Sequence, residues 1–349
     1  MPSRSALLPV ITVGLALAIS FGALALLGHD PLEAWEFMLK GGLGSWGSVG
    51  ESAVRASILT LCALAVALPN AGGLFNIGGQ GQLLWGALVA AVLGRALALP
   101  AILALPISVL GAALAGGAYA ALAGWLKVQR GVHEVISTIL LNWIALHLIE
   151  NFLVIGPLAA RSSDASISLP GTAIIRPEAQ LPLLLPGTRL HAGVLLALAA
   201  AFAAAWVLRR RVWGLELRAV GASPEAARTA GIPVKARQVQ AMALGGACAG
   251  LAGALLVLGT ELRYPPHVST PYGFDGIALS FIGANQPLGA LVASLFFGII
   301  RVGGTRLQLL NIHRDFPELI QGLTLLFVAG RMLLASLLDR LGRSKVSHA

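Results

Sequence analysis

Between Pro69 and Gln82 the chain reads PNAGGLFNIGGQGQ. This is one helix breaker, five glycines and four carboxamides (Asn70, Asn76, Gln80 and Gln82) without a charge. Carboxamides donate and accept hydrogen bonds without the desolvation cost of an ion. They suit passage of a neutral solute bearing hydroxyl or amide groups. Small residues and amides also join helices inside a bilayer, so the same residues serve packing as well as lining. A second irregular stretch holds Asp275, within Pro271–Gly276, and Asn285, within Gly283–Pro287. Asp275 precedes the short apolar run Ile277–Ile282 and is placed to cap its N-terminus. Asn142 lies within another apolar run and faces either a neighbouring helix or a cavity. The expected solute path is therefore Asn70, Asn76, Gln80, Gln82, Asn142, Asp275 and Asn285.

No residue set for covalent chemistry accompanies them. His133-Glu134 is followed by Val135-Ile136-Ser137, so the second histidine of a zinc helix is missing. The chain has no GxxxxGK[ST] phosphate loop and no GxSxG elbow. Gly42-Leu43-Gly44-Ser45-Trp46-Gly47 matches GxGxxG but has no strand before it. Cys62 and Cys248 sit in apolar runs as small core residues. Neither catalytic residues nor a metal site is expected, and no cofactor in this chain.

These residues must be positioned by membrane helices. Of 349 residues 57% are hydrophobic and only 11% charged, and the mean hydropathy is +0.82. So few charges cannot cover a soluble surface, and the composition also excludes disorder, a disulfide scaffold and a coiled coil. The net charge of +9 reads as Lys and Arg flanking spans on the cytoplasmic side, not as a nucleic-acid surface. Arg4 is followed by the uncharged Ser5–His29, which reads as an uncleaved first span. The 39 uncharged residues 56–94 exceed one crossing and split at Pro69-Asn70. The expected fold is all-α and polytopic, with about ten transmembrane helices, broken or re-entrant segments and both termini cytoplasmic. Its shortest crossing, the eighth, lies near Phe274–Gly283. One transmembrane domain is expected over 1–349, with an extracytoplasmic loop at 157–190 and a cytoplasmic segment at 209–237. The segments assigned to the inside (1–5, 127–134, 209–237, 331–349) hold 14 of the 24 Lys and Arg but 4 of the 15 Asp and Glu. That is the direction of the positive-inside rule.

Within the cytoplasmic segment, Ser223 is an N-cap candidate, Pro224 suits the first helical position, and Gly231 and Pro233 end a short helix. Its small-residue face suits docking in a groove of another protein, and also an ordinary interfacial loop. Four stretches together resemble the permease subunits of bacterial ABC importers, in the branch for sugars, branched-chain amino acids and nucleosides. They are 69–82, GVHEVISTILLNWIA at 131–145, LRAVGASPEAARTAGI at 217–232 and GFDGIALSFIGANQPLGALVASLFFG at 273–298. Glu134–Ile139 and Leu141-Asn142-Trp143 look most like the nucleoside and simple-sugar permeases. Gly79 departs from that pattern, where relatives often carry Glu.

The resemblance implies a transport subunit in the bacterial inner membrane, not an enzyme. It pairs with a second permease subunit (a copy or a paralogue), an extracytoplasmic solute-binding protein and an ABC ATPase that consumes the ATP. It further implies that Gly221, Glu225, Ala226, Ala227 and Gly231 form the ATPase-coupling element. The implied solute is neutral and polar, a nucleoside first, with a sugar or branched-chain amino acid as alternatives. An ion-coupled secondary transporter is the competing class. Ion coupling recruits intramembrane acids or histidine, the long uncharged stretches contain no acid, and His147 reads as packed. A polytopic enzyme has no motif in its favour.

Overall fold

The structure, a computed structural model, describes residues 4–160, 171–268, 270–313 and 316–329. Part of the expected outer loop (161–170), the basic residues Arg331, Arg340, Arg343 and Lys345, and the continuation of the last apolar run to Leu338 lie outside the described residues.

Among the described residues thirteen α-helices follow one another: α1 (Arg4–Leu26), α2 (Pro31–Leu43), α3 (Trp46–Ala71), α4 (Gly79–Ala96), α5 (Ala101–Arg130), α6 (Glu134–Leu148), α7 (Gly193–Arg210), α8 (Val212–Ala222), α9 (Pro224–Thr229), α10 (Val234–Leu255), α11 (Tyr272–Ile282), α12 (Pro287–Gly304) and α13 (Phe316–Ala329). Extended pairing among the described residues is confined to two isolated bridges, Ala159 with Thr172 and Leu183 with His191. Six helical segments among the described residues are long and apolar enough to cross a membrane: α3, α5, α6 with its π-helical extension to Leu153, α7, α10 with its extension to Glu261, and α12 with its extension to Leu310. The pair α1 and α2, bent by 118°, makes a seventh if counted as one span. The protein is a multi-pass, all-helical membrane protein. At the expected eighth crossing α11 has 11 residues, about 16 Å at 1.5 Å per residue. That is half of a ~30 Å hydrocarbon core.

The chain divides into two compact units, Met1–Ser52 with Phe296–Ala349 and Ala53–Leu295, a division that composition did not announce. In the first, α2 is started by Asp30, whose carboxylate accepts from Leu32 N (2.8 Å) with Pro31 in the first turn. A Cβ at Gly303 would sit 2.0 Å from Met38 O, so α2 and α12 meet backbone to backbone. In the second, α4, α5 and α10 are pressed together by glycines. A Cβ at Gly116 would lie 2.4 Å from Gly246 O, and one at Gly86 2.4 Å from Gly250 Cα. The GxxxG at Gly246 and Gly250 is therefore a close-packing device. This core fixes α4, whose first turn opens the candidate site.

Candidate functional site

α3 carries Pro69 near its end and stops at Ala71, and α4 starts at Gly79. Residues 72–78 between them break the helix. Non-helical backbone in a membrane protein needs protein or water as hydrogen-bond partner. Here α6 supplies it from one face, through Glu134, Thr138 and Asn142 at i, i+4 and i+8. Glu134 Oε1 accepts from Phe75 N (3.4 Å) and Thr138 Oγ1 from Ile77 N (3.3 Å). Asn142 Oδ1 accepts from Gly81 N (2.8 Å) while its Nδ2 donates to Ile77 O (2.8 Å). Lys127 Nζ holds the buried Glu134 at 2.5 Å.

Inside the break, Asn76 and Gln82 exchange amide bonds, Nδ2 to Oε1 at 3.0 Å and Nε2 to Oδ1 at 2.9 Å. Asn76 also donates to Ala65 O (2.9 Å) and accepts from Gly78 N (2.9 Å), so its two donors and two acceptor sites are all occupied. Gln80 Oε1 accepts from Gly273 N (2.8 Å) and ties the first turn of α4 to that of α11. A Cβ at Gly273 would lie 2.1 Å from Gln80 N, and one at Gly276 2.5 Å from the Cys62 carbonyl carbon. Only glycine lets α11 approach α3 and α4 this closely. The same contact bears on Gly79, where a Cβ would already be 3.2 Å from Gly273 O.

Asn76, Gln82 and Asn142 thus each bond to protein groups in this arrangement. Sequence gives their donors and acceptors but not these partners. Asn70 is half-buried at the end of α3, its carbonyl accepting from Gly73 N (3.0 Å). Asp275 does not cap a helix at Ile277. α11 begins at Tyr272 behind Pro271, and Asp275 sits half-buried in its first turn. Asn285 adopts φ 55° in the α11–α12 turn, accepts from Ser280 Oγ (2.9 Å), and lines a cavity of about 240 Å³ with Ala71, Arg209 and Arg218. His147 is exposed rather than packed inside. Sequence reading missed Glu134 and Thr138 as partners of the break. Their i, i+4 spacing with Asn142 is visible in the sequence, but Ser137 and His147 are polar residues of the same helix outside that row.

The expected coupling segment sits directly under this break. Ser223 Oγ accepts from Ala226 N (3.3 Å) and Pro224 opens α9. The end of α8 is seated on the turn after α3. A Cβ at Gly221 would be 2.4 Å from Ala71 O, and one at Gly73, itself at φ +72°, would be 3.2 Å from Gly221 Cα. Glu225, Ala226 and Gly231 are exposed. Ala227 is not. It is buried against Val220 and Val234, because the short α9 turns that side chain toward α8 and the start of α10. Ala227 is therefore removed from the exposed face.

Residues 48–329 match the family described as branched-chain amino acid transport system / permease component. The glucose ABC transporter permease protein TsgB13 of Haloferax volcanii is 36% identical, over 92% of this chain and 86% of that protein. The guanosine ABC transporter permease protein NupP of Bacillus subtilis is 35% identical, over 93% and 92%. The nucleoside ABC transporter permease protein NupB of Lactococcus lactis is 27% identical, over 99% and 97%. No solved structure matches.

Proposed function

The chain belongs to the permease-component family of the branched-chain amino acid transport system, and from that premise we propose that it is the membrane subunit of an ABC importer for a nucleoside. The observation that carries this reading is the seat of α8 on the 71–73 turn at Gly221. A short cytoplasmic element there meets a broken span whose far side is held by α6 and α11. Displacement of α8–α9 by a partner is thereby passed to the break without a flexible linker. An ABC ATPase is the partner that would push. It would bind the exposed Glu225, Ala226 and Gly231 and hydrolyse the ATP, while this chain makes no covalent bond. A second permease subunit (a copy or a paralogue) and an extracytoplasmic binding protein complete the complex in the bacterial inner membrane.

The nucleoside reading is supported by relatives named for guanosine and nucleosides at 35% and 27% identity. The relative named for glucose, at 36%, favours a sugar as the second reading. We place both ends in the cytoplasm, with ten passages, of which the eighth pairs α11 with the irregular 262–268. In support, the far end of that passage has Gln286 accepting from Arg209 (3.0 Å), in the arginine-rich end of α7.

The test is purification of the tagged chain with its genomic neighbours, followed by reconstitution and measurement of guanosine and glucose uptake. Uptake of guanosine that needs both ATP and a co-purifying ATPase is the expected result. Uptake by the chain alone without ATP overturns the proposal. The docking variant is Ala226→Asp, which is expected to lose the ATPase.

A further inference from the structure

α6 carries a second face that the break does not use. Trp143, His147 and Asn151 recur every four residues along it and are exposed, Trp143 by 56%. The Trp143 and His147 rings are stacked, with centroids 5.7 Å apart and planes at 19°. Asn151 Nδ2 donates to His147 Nδ1 at 2.9 Å. Around them the exposed surface of the helix is aliphatic, with Leu140, Ile144 and Leu148.

This strip does not suit hydrocarbon. Glu134–Leu153 is a span of 20 residues, and Trp143 lies about 14 Å along it, near mid-depth. Tryptophan facing lipid concentrates at the interfaces. Imidazole and amide groups within spans face the bundle interior or a wet cavity. Asn151 lies a further ~12 Å toward the opposite end from Glu134. The strip therefore runs from mid-depth to one mouth of the protein.

We propose that Trp143, His147 and Asn151 form a stacking track for the planar base of a nucleoside in the translocation path. Two near-parallel rings one helical turn apart make a stepped aromatic surface. Flat heterocycles adhere to such surfaces through their π-faces whatever their edge pattern. Asn151 adds a carbonyl acceptor and a second amide hydrogen for the base edge. A saturated sugar offers no π-face to the steps. The opposite face of α6 is fixed to the break by Glu134, Thr138 and Asn142. One helix thus connects the track to the element that α8 moves.

The inference rests on the nucleoside-importer reading, and the experiment separates the two. The complete transporter, with ATPase, second permease and binding protein, is reconstituted, and ATP-driven uptake of labelled guanosine and glucose is measured first for the unaltered chain. Uptake of glucose but not guanosine overturns the nucleoside reading before any variant is made. Given guanosine uptake, Trp143→Ala, His147→Ala and Asn151→Ala are each expected to lower it at least tenfold. ATP hydrolysis and subunit composition should stay within twofold, and Trp143→Phe should recover at least a third of the rate. Uptake within twofold of the unaltered chain in all three alanine variants overturns the track. Loss of the second permease subunit from the variants overturns it too, since the strip would then be a subunit contact.

Discussion

At the scale of single residues, the carboxamides hold backbone. Asn142 is the clearest case, because it serves a donor and an acceptor of the break at once. Asn142→Leu leaves the buried Gly81 N and the half-buried Ile77 O without this partner, at about 1–3 kcal/mol for a fully buried orphaned group. The expected outcome is a lower thermal unfolding midpoint in detergent. An unchanged midpoint would mean that water replaces the amide. Asn76 and Gln82 act as a pair through two reciprocal bonds. Each single change to Leu is expected to destabilise, and the double change to cost less than the sum by roughly 0.5–3 kcal/mol. Strict additivity in that cycle would refute the pairing. The sequence made these residues visible through their type and their apolar surroundings. It could not show their partners, since Asn76 reaches Ala65 and Asn142 reaches Ile77 only once the helices are packed. Glu134 and Thr138 went unread for the same reason: both resemble ordinary helix-start residues until Phe75 and Ile77 arrive beside them.

At the scale of elements, the proposed joint is α8 against the turn at Ala71–Gly73. The close approach of Gly221 to Ala71 O leaves no space for a methyl group. Gly221→Ala must lift α8 from the turn. ATP hydrolysis by the assembled complex is expected to persist while solute uptake falls at least tenfold, measured side by side in proteoliposomes. Parallel loss of both activities would show that α8 only supports folding. α9 offers a paired comparison. Ala226→Asp sits on the exposed surface and is expected to spare stability while releasing the ATPase. Ala227→Asp puts a carboxylate among Val220, Val234 and Ile232 and is expected to lower the unfolding midpoint of the isolated chain. Local chemistry made α9 legible, because the Ser223 cap and Pro224 are sufficient signals. Which alanine faces inward was not legible, since a six-residue helix of small side chains has no apolar periodicity to read. The start of α11 was misread for a related reason. Gly273 looks like a helix breaker, yet it lies inside the helix to let Gln80 N come close.

At the scale of the whole chain, hydropathy made the membrane class and most spans plain, but it could not describe a passage that is only half helical. After α10 and its extension end at Glu261, residues 262–268 are anchored to Thr172, Ile175 and the extension of α6. Ile175 N donates to Leu262 O (2.8 Å), Tyr264 N to Thr172 Oγ1 (2.9 Å) and Val268 N to Glu150 Oε1 (2.9 Å). α11 follows, and Gln286 then meets Arg209 at the far end of α7. In the proposed topology an irregular piece followed by a half-helix carries the chain across, as discontinuous helices do at solute sites. This predicts opposite exposure of two positions only nineteen residues apart, His267 and Gln286. With Cys62 and Cys248 replaced by Ala, His267→Cys is expected to react with a membrane-impermeant maleimide added to intact cells. Gln286→Cys is expected to react only after the membrane is opened. Reaction of both from outside would make α11 re-entrant, give nine passages and move the C-terminus to the external side. The excess of Arg and Lys beyond Gly330 would then lie on the side that the positive-inside rule disfavours. Opposite labelling would instead leave the broken passage as the element that joins the outer loop to the seat of α8, the arrangement that alternating access between the two faces requires.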